Sequence, residues 1–477
     1  MICLASFRPV MLEKLFQLKA NHTSLKQESL AGLTTFSTLA YIIFVNPAVL
    51  SKTGMDFESV LIATCLAAAI GSLLSGLLSN YPFAQAPGMG LNAFFVYAVV
   101  FQAGYSWQGA LAIVFISGVI FILLTITGVR SGILESFPKS VLQAIPAGIG
   151  LFISLIGLNN AGIIKFNQGP IIDIILSTEA FDQQSMISAV NNAPPQIIQL
   201  GDVTSPEVLL AVVGFMLMSV LVAKKFNGAI LISILLITVA SLVLGITKMP
   251  EQLTATDISI APTLLQMDFS AIFQGDQSTL FSVILEFVTV LLAFTMVDFF
   301  DTLGTLYGTA EKGGFLDKNG KLPRVKQALL ADAIATTSGA MLGTSTTTTY
   351  IESGSGIAAG GKTGLTAVVV AILFLICIFL APLAGAIPAS ATAPALIMVG
   401  VFMMSAIKKI NLDDMTEAIP AFLTIVLIPL TYSIASGIGA GIIFYTIISL
   451  FTGKVRELSP VVLIITILFI IKFTVVK

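Results

Sequence analysis

The sequence predicts an all-α polytopic membrane protein, and three observations predict it. Of 477 residues, 56% are hydrophobic and only 10% are charged, at a mean hydropathy of +1.00. A soluble domain carries about a quarter charged residues, so this surface suits the bilayer as solvent. Apolar runs of about 20 residues, the length that crosses the hydrocarbon core, recur along the chain, and lysines and arginines gather in alternate loops.

The spans follow in order. Residues 1–31 are polar and lack the basic, apolar, small-residue layout of a secretory signal. Met11-Leu-Glu-Lys-Leu-Phe reads as a natural start, with residues 1–10 an upstream extension. Apolar spans are predicted over 33–52, 58–79, 108–128, 138–157, 206–223 and 227–246, with a shorter, glycine-interrupted one at 86–103. The second half offers 281–306, 325–343, 363–384, 387–407, 417–434 and 436–452, with a weak segment at 350–360. These make about fourteen spans. The apolar stretch 459–475 is left over, either crossing or lying against the bundle.

Lys14, Lys19 and Lys26 precede the first span, and Arg130/Lys139, Lys224/Lys225, Lys312 through Lys326, Lys408/Lys409 and Lys454/Arg456 lie in later loops. All fall on one face if seven spans precede residue 250, and the long loops 158–205 and 247–280 carry more acids than bases. Positive charge on the inner face then predicts a cytoplasmic N-terminus and a bacterial-type plasma membrane.

The halves resemble each other weakly. Gly71-Ser72-Leu73-Leu74-Ser75-Gly76 runs into Ala86-Pro87-Gly88-Met89-Gly90-Leu91-Asn92-Ala93; Thr336-Thr337-Ser338-Gly339 runs into Glu352-Ser353-Gly354-Ser355-Gly356. Each is a small-residue helix followed by a glycine-broken segment. Seven is an odd number of spans, so the two halves are expected upside down to one another, with a substrate site at mid-membrane between the broken segments.

Acids inside spans are the sharpest chemical signal. An aspartate at a helix centre costs roughly 2.5–3.5 kcal/mol on insertion scales. Asp298 and Asp301 stand three apart on one helical face, with Thr302 a turn from Asp298. Glu352 opens the second broken segment, Glu286 lies near the start of its span, and Asp332 falls within 325–343. No buried lysine or arginine is available in these segments to pair with them. Two carboxylates on one face at low dielectric cannot both hold a charge cheaply, which is what proton coupling requires.

The run Gly343-Thr344-Ser345-Thr346-Thr347-Thr348-Thr349-Tyr350 favours extended backbone. Such backbone survives at membrane depth only where it is buried in protein or lines a cavity. It predicts a short strand leading into a half-helix whose N-terminus faces the site, a natural place for a ligand's acceptors. In the counterpart, Pro87, Gly88 and Gly90 break the helix and Asn92 supplies a donor and an acceptor together. Phe94 and Phe95 offer rings for stacking, although among 33 phenylalanines packing is the commoner role.

Several function classes drop out. A net charge of −2 suggests no nucleic-acid partner. Cys3, Cys65 and Cys377 form no disulfide or zinc pattern, and the lone histidine, His22, lies in the polar N-terminal stretch. No span pairs a nucleophile with histidine, and no metal-ligand or Walker-type pattern occurs, so neither an enzyme nor a cofactor is expected. A phosphate or dicarboxylate would want arginine nearby. The donors and acceptors suit a small, neutral, flat solute.

At Ala86-Pro87-Gly88-Met89-Gly90-Leu91-Asn92-Ala93-Phe94-Phe95, Asp298-Phe299-Phe300-Asp301-Thr302-Leu303-Gly304 and Thr349-Tyr350-Ile351-Glu352-Ser353 the chain resembles the nucleobase–ascorbate (nucleobase–cation symporter 2) transporters. Within them it is similar to the AzgA-like hypoxanthine/guanine/adenine permeases. The resemblance implies fourteen helices in two inverted seven-helix repeats, with two short strands and half-helices at the substrate site. It implies a core over 32–135 and 281–385 and a gate over 136–250 and 386–452, with 453–477 an apolar C-terminal segment. A purine would sit between the third and tenth spans beside the eighth. Asn92, Asp298, Asp301, Thr302, Glu352 and Ser353 become substrate-binding candidates, and Asp298, Asp301 and Glu352 proton-coupling candidates. Proton symport and a homodimer are further implications. The expected function is purine import with hypoxanthine or guanine favoured; the rivals are an adenine-preferring permease, a passive channel and an anion exchanger on the same architecture.

Overall fold

The computed structural model of the chain describes residues 12–127, 137–166, 198–248, 259–273, 280–318, 320–381, 386–454 and 458–475. The proposed start at Met11, Arg130, Arg456 and much of the two long loops lie outside the described residues.

The first half runs α1 (Leu25–Leu39), α2 (Ile42–Leu50), α3 (Phe57–Leu74), β1 (Gln85–Pro87), α4 (Met89–Ala93), α5 (Trp107–Thr127), α6 (Lys139–Asn160), β2 (Ile164–Phe166), β3 (Ile198–Leu200), α7 (Pro206–Ala223) and α8 (Ala229–Val243). The second runs α9 (Leu280–Gly313), α10 (Val325–Leu342), β4 (Thr347–Thr349), α11 (Ser353–Ala358), α12 (Gly364–Cys377), α13 (Ala389–Met404), α14 (Met415–Thr431), α15 (Ile434–Phe451) and α16 (Pro460–Val475). Polar caps set several starts: Ser24, Asp56, Ser205 and Ser433 each accept from an amide three residues on.

Among the described residues eight helices are long and apolar enough to cross a membrane, with five shorter apolar ones. α10 is in neither group. Its alanines, threonines and Asp332 are packed against α3 and α5 rather than lipid, so it needs less apolar surface. The glycine-broken segments 86–103 and 350–360 each follow or begin in a three-residue strand, Gln85–Pro87 and Thr347–Thr349, and then become helical.

Long-range contacts place the basic loops together. Lys326 Nζ donates to the Ile126 carbonyl at 3.1 Å, Arg324 to Ser79 at 3.3 Å and Lys362 to His22 at 3.4 Å, while Lys454 pairs with Asp414 at 3.0 Å. The first three contacts bring the end of α5, the start of α10 and the loop before α12 toward the N-terminal segment, where Asn80 also bonds the Phe16 carbonyl, and the fourth joins the loops before α14 and after α15.

The leftover stretch 459–475 forms α16. It runs antiparallel to α15, with the Thr446 and Thr466 hydroxyls 2.8 Å apart and the Phe469 ring over Gly439. Its Lys472 reaches Glu286 near the start of α9 at 3.3 Å.

Candidate functional site

The site is built on a two-stranded ribbon inside the bundle. β1 pairs antiparallel with β4 in the register Gln85↔Thr349, Ala86↔Thr348, Pro87↔Thr347. Gly88 donates to the Thr346 carbonyl at 2.9 Å and Tyr350 to Ala84 at 3.0 Å. Hydrogen-bonded pairs alternate along an antiparallel ladder, so Ala86–Thr348 lies between these two. Residues 85, 87, 347 and 349 then aim their backbone groups outward. Pro87 thus occupies a position where the ladder needs no N–H.

At membrane depth those outward groups need partners, and hydroxyls of the flanking helices supply them. Ser72 of α3 accepts from the Gln85 amide at 2.9 Å and donates to its carbonyl at 3.0 Å. Thr336 of α10 donates to the Thr347 carbonyl at 2.9 Å. Tyr350 Oη donates to the Pro87 carbonyl at 2.5 Å. Ser72 and Thr336 play matching parts in the two halves, which gives the weak internal repeat its physical content. The structural equivalence is Gln85–Pro87 with Thr347–Thr349, about four residues before the pairing of Ala86 with Glu352 that the sequence suggests.

A cavity of about 80 Å³ opens beside the ribbon. Its polar wall is Gly88 to Gly90, Thr348 to Tyr350, Glu352, Asp301 and Thr305, joined by Tyr41 from the break between α1 and α2. Its apolar wall is Val399, Phe402 and Met403 of α13. Glu352 and Phe402 also line a wider space of about 240 Å³ with Lys225 and Asn227, on the face of the basic loops.

Further contacts tie the helices together. Lys52 Nζ bonds Asn160 Oδ1 at 2.6 Å and Tyr97 Oη at 3.1 Å, and Gln102 donates to the Thr431 carbonyl at 3.0 Å. The Tyr97, Phe152 and Tyr432 rings meet edge-on there, 5.2 to 6.3 Å apart. Among the described residues the cavity thus adjoins the wider space through Glu352 and Phe402, whereas the Lys52–Asn160 and Gln102–Thr431 contacts join the helices elsewhere.

Of the six residues singled out in the sequence, Asp301 and Glu352 line the cavity. Glu352 is the residue before α11, and Tyr41 Oη donates to its Oε1 at 3.0 Å. Thr348 Oγ1 stands 3.5 Å from Asp301 Oδ2. The other four are buried outside the cavity wall. Asn92 accepts from the Ser345 hydroxyl, tying the first half-helix to the threonine run. Thr302 donates to Asp332, 3.0 Å from both carboxylate oxygens. Ser353 accepts from the Ala84 amide at 3.0 Å. Asp298 is fully buried on α9.

Phe94 and Phe95 are packing residues, Phe94 edge-on to Phe294 at 4.7 Å; the phenylalanine in the described cavity lining is Phe402. Sequence reasoning missed Tyr41, Thr305 and Phe402, which look like ordinary span residues. Glu286, for which no cation was expected, is paired by Lys472 with side-chain exposures of 14% and 12%. Glu28 was also missed. It is fully buried and accepts from the Lys362 and Thr363 amides at 3.0 and 3.2 Å and from the Thr366 hydroxyl at 2.6 Å, at the entry to α12.

Comparisons with known proteins bear on the family and the fold. A family model described as a permease family, the xanthine/uracil permeases, matches residues 26–181 and 170–440. The chain is 47% identical to a putative permease of Methanocaldococcus jannaschii, over 97% of this chain and 98% of that one. It is 41% identical to the adenine permease AdeP of Escherichia coli, over 97% and 96%. To the guanine/hypoxanthine permease PbuG of Bacillus subtilis it is also 41% identical, over 98% and 100%. In fold it is similar to the transmembrane domain of the cyanobacterial bicarbonate transporter BicA, with a TM-score of 0.56 at 18% identity, covering 85% of this chain and 97% of that one. Murine SLC26A9 gives 0.59 at 12% identity over 89% and 68%. Those neighbours share the seven-plus-seven inverted-repeat fold.

Proposed function

The chain belongs to the nucleobase–ascorbate transporter family, and from that premise we propose that it imports purine nucleobases by proton symport, with hypoxanthine and guanine preferred. It is a membrane transporter and not an enzyme. The observation that carries the proposal is a small cavity in which two carboxylates, Asp301 and Glu352, face one apolar wall, with no lysine or arginine among its described lining residues.

In this reading Glu352 accepts from a purine N–H, and the amides at the start of α4 face the carbonyl edge. Hypoxanthine and guanine present N1–H beside a carbonyl, whereas adenine presents a bare nitrogen beside an amine. A carboxylate acceptor favours the first pattern, and one such reversal discriminates strongly. Phe402 covers the flat face of the ring. Asp301 takes the coupling proton, which neutralises the site before it moves. Thr302 ties the helix that carries Asp301 to Asp332 of α10, and Asn92 and Ser353 hold the ribbon.

The moving core comprises 32–135 and 281–385 and the gate 136–250 and 386–452. The N-terminal face, where the basic loops gather, is cytoplasmic. The described conformation is then inward-open, and the Lys52–Asn160 and Gln102–Thr431 contacts tie core to gate on the outer side.

The test is uptake of radiolabelled hypoxanthine by cells lacking their own purine permeases, with and without a protonophore, competed by guanine, adenine, xanthine and uracil. Accumulation that the protonophore abolishes, competed best by guanine, is the expected result. Accumulation that survives the protonophore refutes the proton coupling, and stronger competition by adenine refutes the preference.

A further inference from the structure

We infer that Tyr41 is a positioning residue for substrate recognition, fixing the Glu352 carboxylate so that its Oε2 meets the purine N–H. The inference rests on the reading of the cavity as the purine site. It starts from a break in the first crossing: α1 ends at Leu39 and α2 begins at Ile42, with Tyr41 in the gap between them. Tyr41 lines the cavity although it is only 1% exposed. Its hydroxyl crosses from the first half to the second and donates to Glu352 Oε1 at 3.0 Å.

Glu352 needs such a contact. It precedes a helix of six residues, and its side chain has three rotatable bonds. A recognition group held in its bound orientation before the ligand arrives loses less freedom on binding. A carboxylate accepts hydrogen bonds at both oxygens, so a phenol fixed on Oε1 directs the ligand to Oε2. The phenol ring is already buried, so removing the hydroxyl alone leaves the packing in place. Tyr41 in this role acts through Glu352 rather than on the substrate.

The experiment compares Tyr41→Phe with wild type for hypoxanthine uptake. It then compares inhibition constants for hypoxanthine and its 1-methyl, 7-methyl and 9-methyl derivatives on both proteins. The expected result is a KM raised about tenfold with Vmax within about twofold, the loss typical of one charge-assisted hydrogen bond. One methylated purine, the one whose methyl blocks the Glu352 contact, binds weakly to wild type and is no weaker on the variant. A purely structural role penalises every purine equally and lowers Vmax with the amount of folded protein, and that pattern overturns the inference. Wild-type KM in Tyr41→Phe overturns it too. Wild-type protein that binds no purine overturns the transport reading and this inference with it.

Discussion

Ser72 offers the sharpest test of how the ribbon survives at membrane depth. The residue is fully buried, and one hydroxyl serves both the Gln85 amide at 2.9 Å and the Gln85 carbonyl at 3.0 Å. Ser72→Ala leaves a buried donor and a buried acceptor, each worth about 1–3 kcal/mol when unsatisfied, so the loss is about 2–6 kcal/mol. Thr336→Val is the internal comparison. It keeps the shape and removes one bond, to the Thr347 carbonyl at 2.9 Å, for about 1–3 kcal/mol. Thr127→Val is the control, since its hydroxyl bonds back only to its own helix, at Leu123 and Leu124, at an exposed position and should be neutral. Thermal unfolding of detergent-purified protein, followed by fluorescence-detected size exclusion, ranks the three. The expected order of stability is Thr127→Val, then Thr336→Val, then Ser72→Ala. Ser72→Ala as stable as Thr336→Val would refute the edge-satisfaction argument.

Three further outcomes follow from the same geometry. Asp301→Asn should keep hypoxanthine binding within about fivefold, roughly one neutral hydrogen bond, yet lose accumulation against a gradient; protonophore-sensitive accumulation at the wild-type level would exclude Asp301 as the proton carrier. Gly88→Ala places a Cβ 2.7 Å from Thr348 Cγ2, an overpacking of about 1–3 kcal/mol, whereas Gly308→Ala, with no atom within 4 Å, should be neutral or stabilising in the same thermal assay. Lys472→Ala strands Glu286 at about 1–3 kcal/mol, below the 3–5 kcal/mol of a fully buried pair because both side chains keep slight exposure; the swap Glu286→Lys with Lys472→Glu should recover most of it, and no recovery would mean the pair contributes through packing alone.

The fold was legible because the bilayer imposes its pattern on single residues. A length near 20 apolar residues identified most crossings, and Pro87, Gly88 and the threonine run identified the breaks. What the sequence could not supply was partnership. β1 and β4 lie 260 residues apart, and each is three residues long; neither is a strand without the other. α16 was ambiguous because its 16 residues suit a short span or a surface helix equally. Lys472 decides its placement, and nothing local to residue 472 indicates that its partner is residue 286.

The acids show why the site was only partly legible. Insertion cost selects every acid in a span, so it ranks Glu286, Asp332, Asp301 and Glu352 alike. Their surroundings separate them. Glu286 is neutralised by Lys472, Asp332 is held by Thr302, and Glu28 spends its oxygens on the start of α12. Each of these carboxylates is engaged by another element of the fold, and none lines the central cavity. Asp301 and Glu352 are contacted by single hydroxyls, from Thr348 and Tyr41, and both face open space. A carboxylate with acceptor capacity left over at a cavity wall can meet a substrate or a proton; one whose capacity is consumed by hydrogen bonds and ion pairs cannot, whatever its depth. Tyr41 follows the same logic from the other direction. An uncharged tyrosine in an apolar run costs little to insert, so no transfer scale marks it, and only its reach to Glu352 brings it into the site.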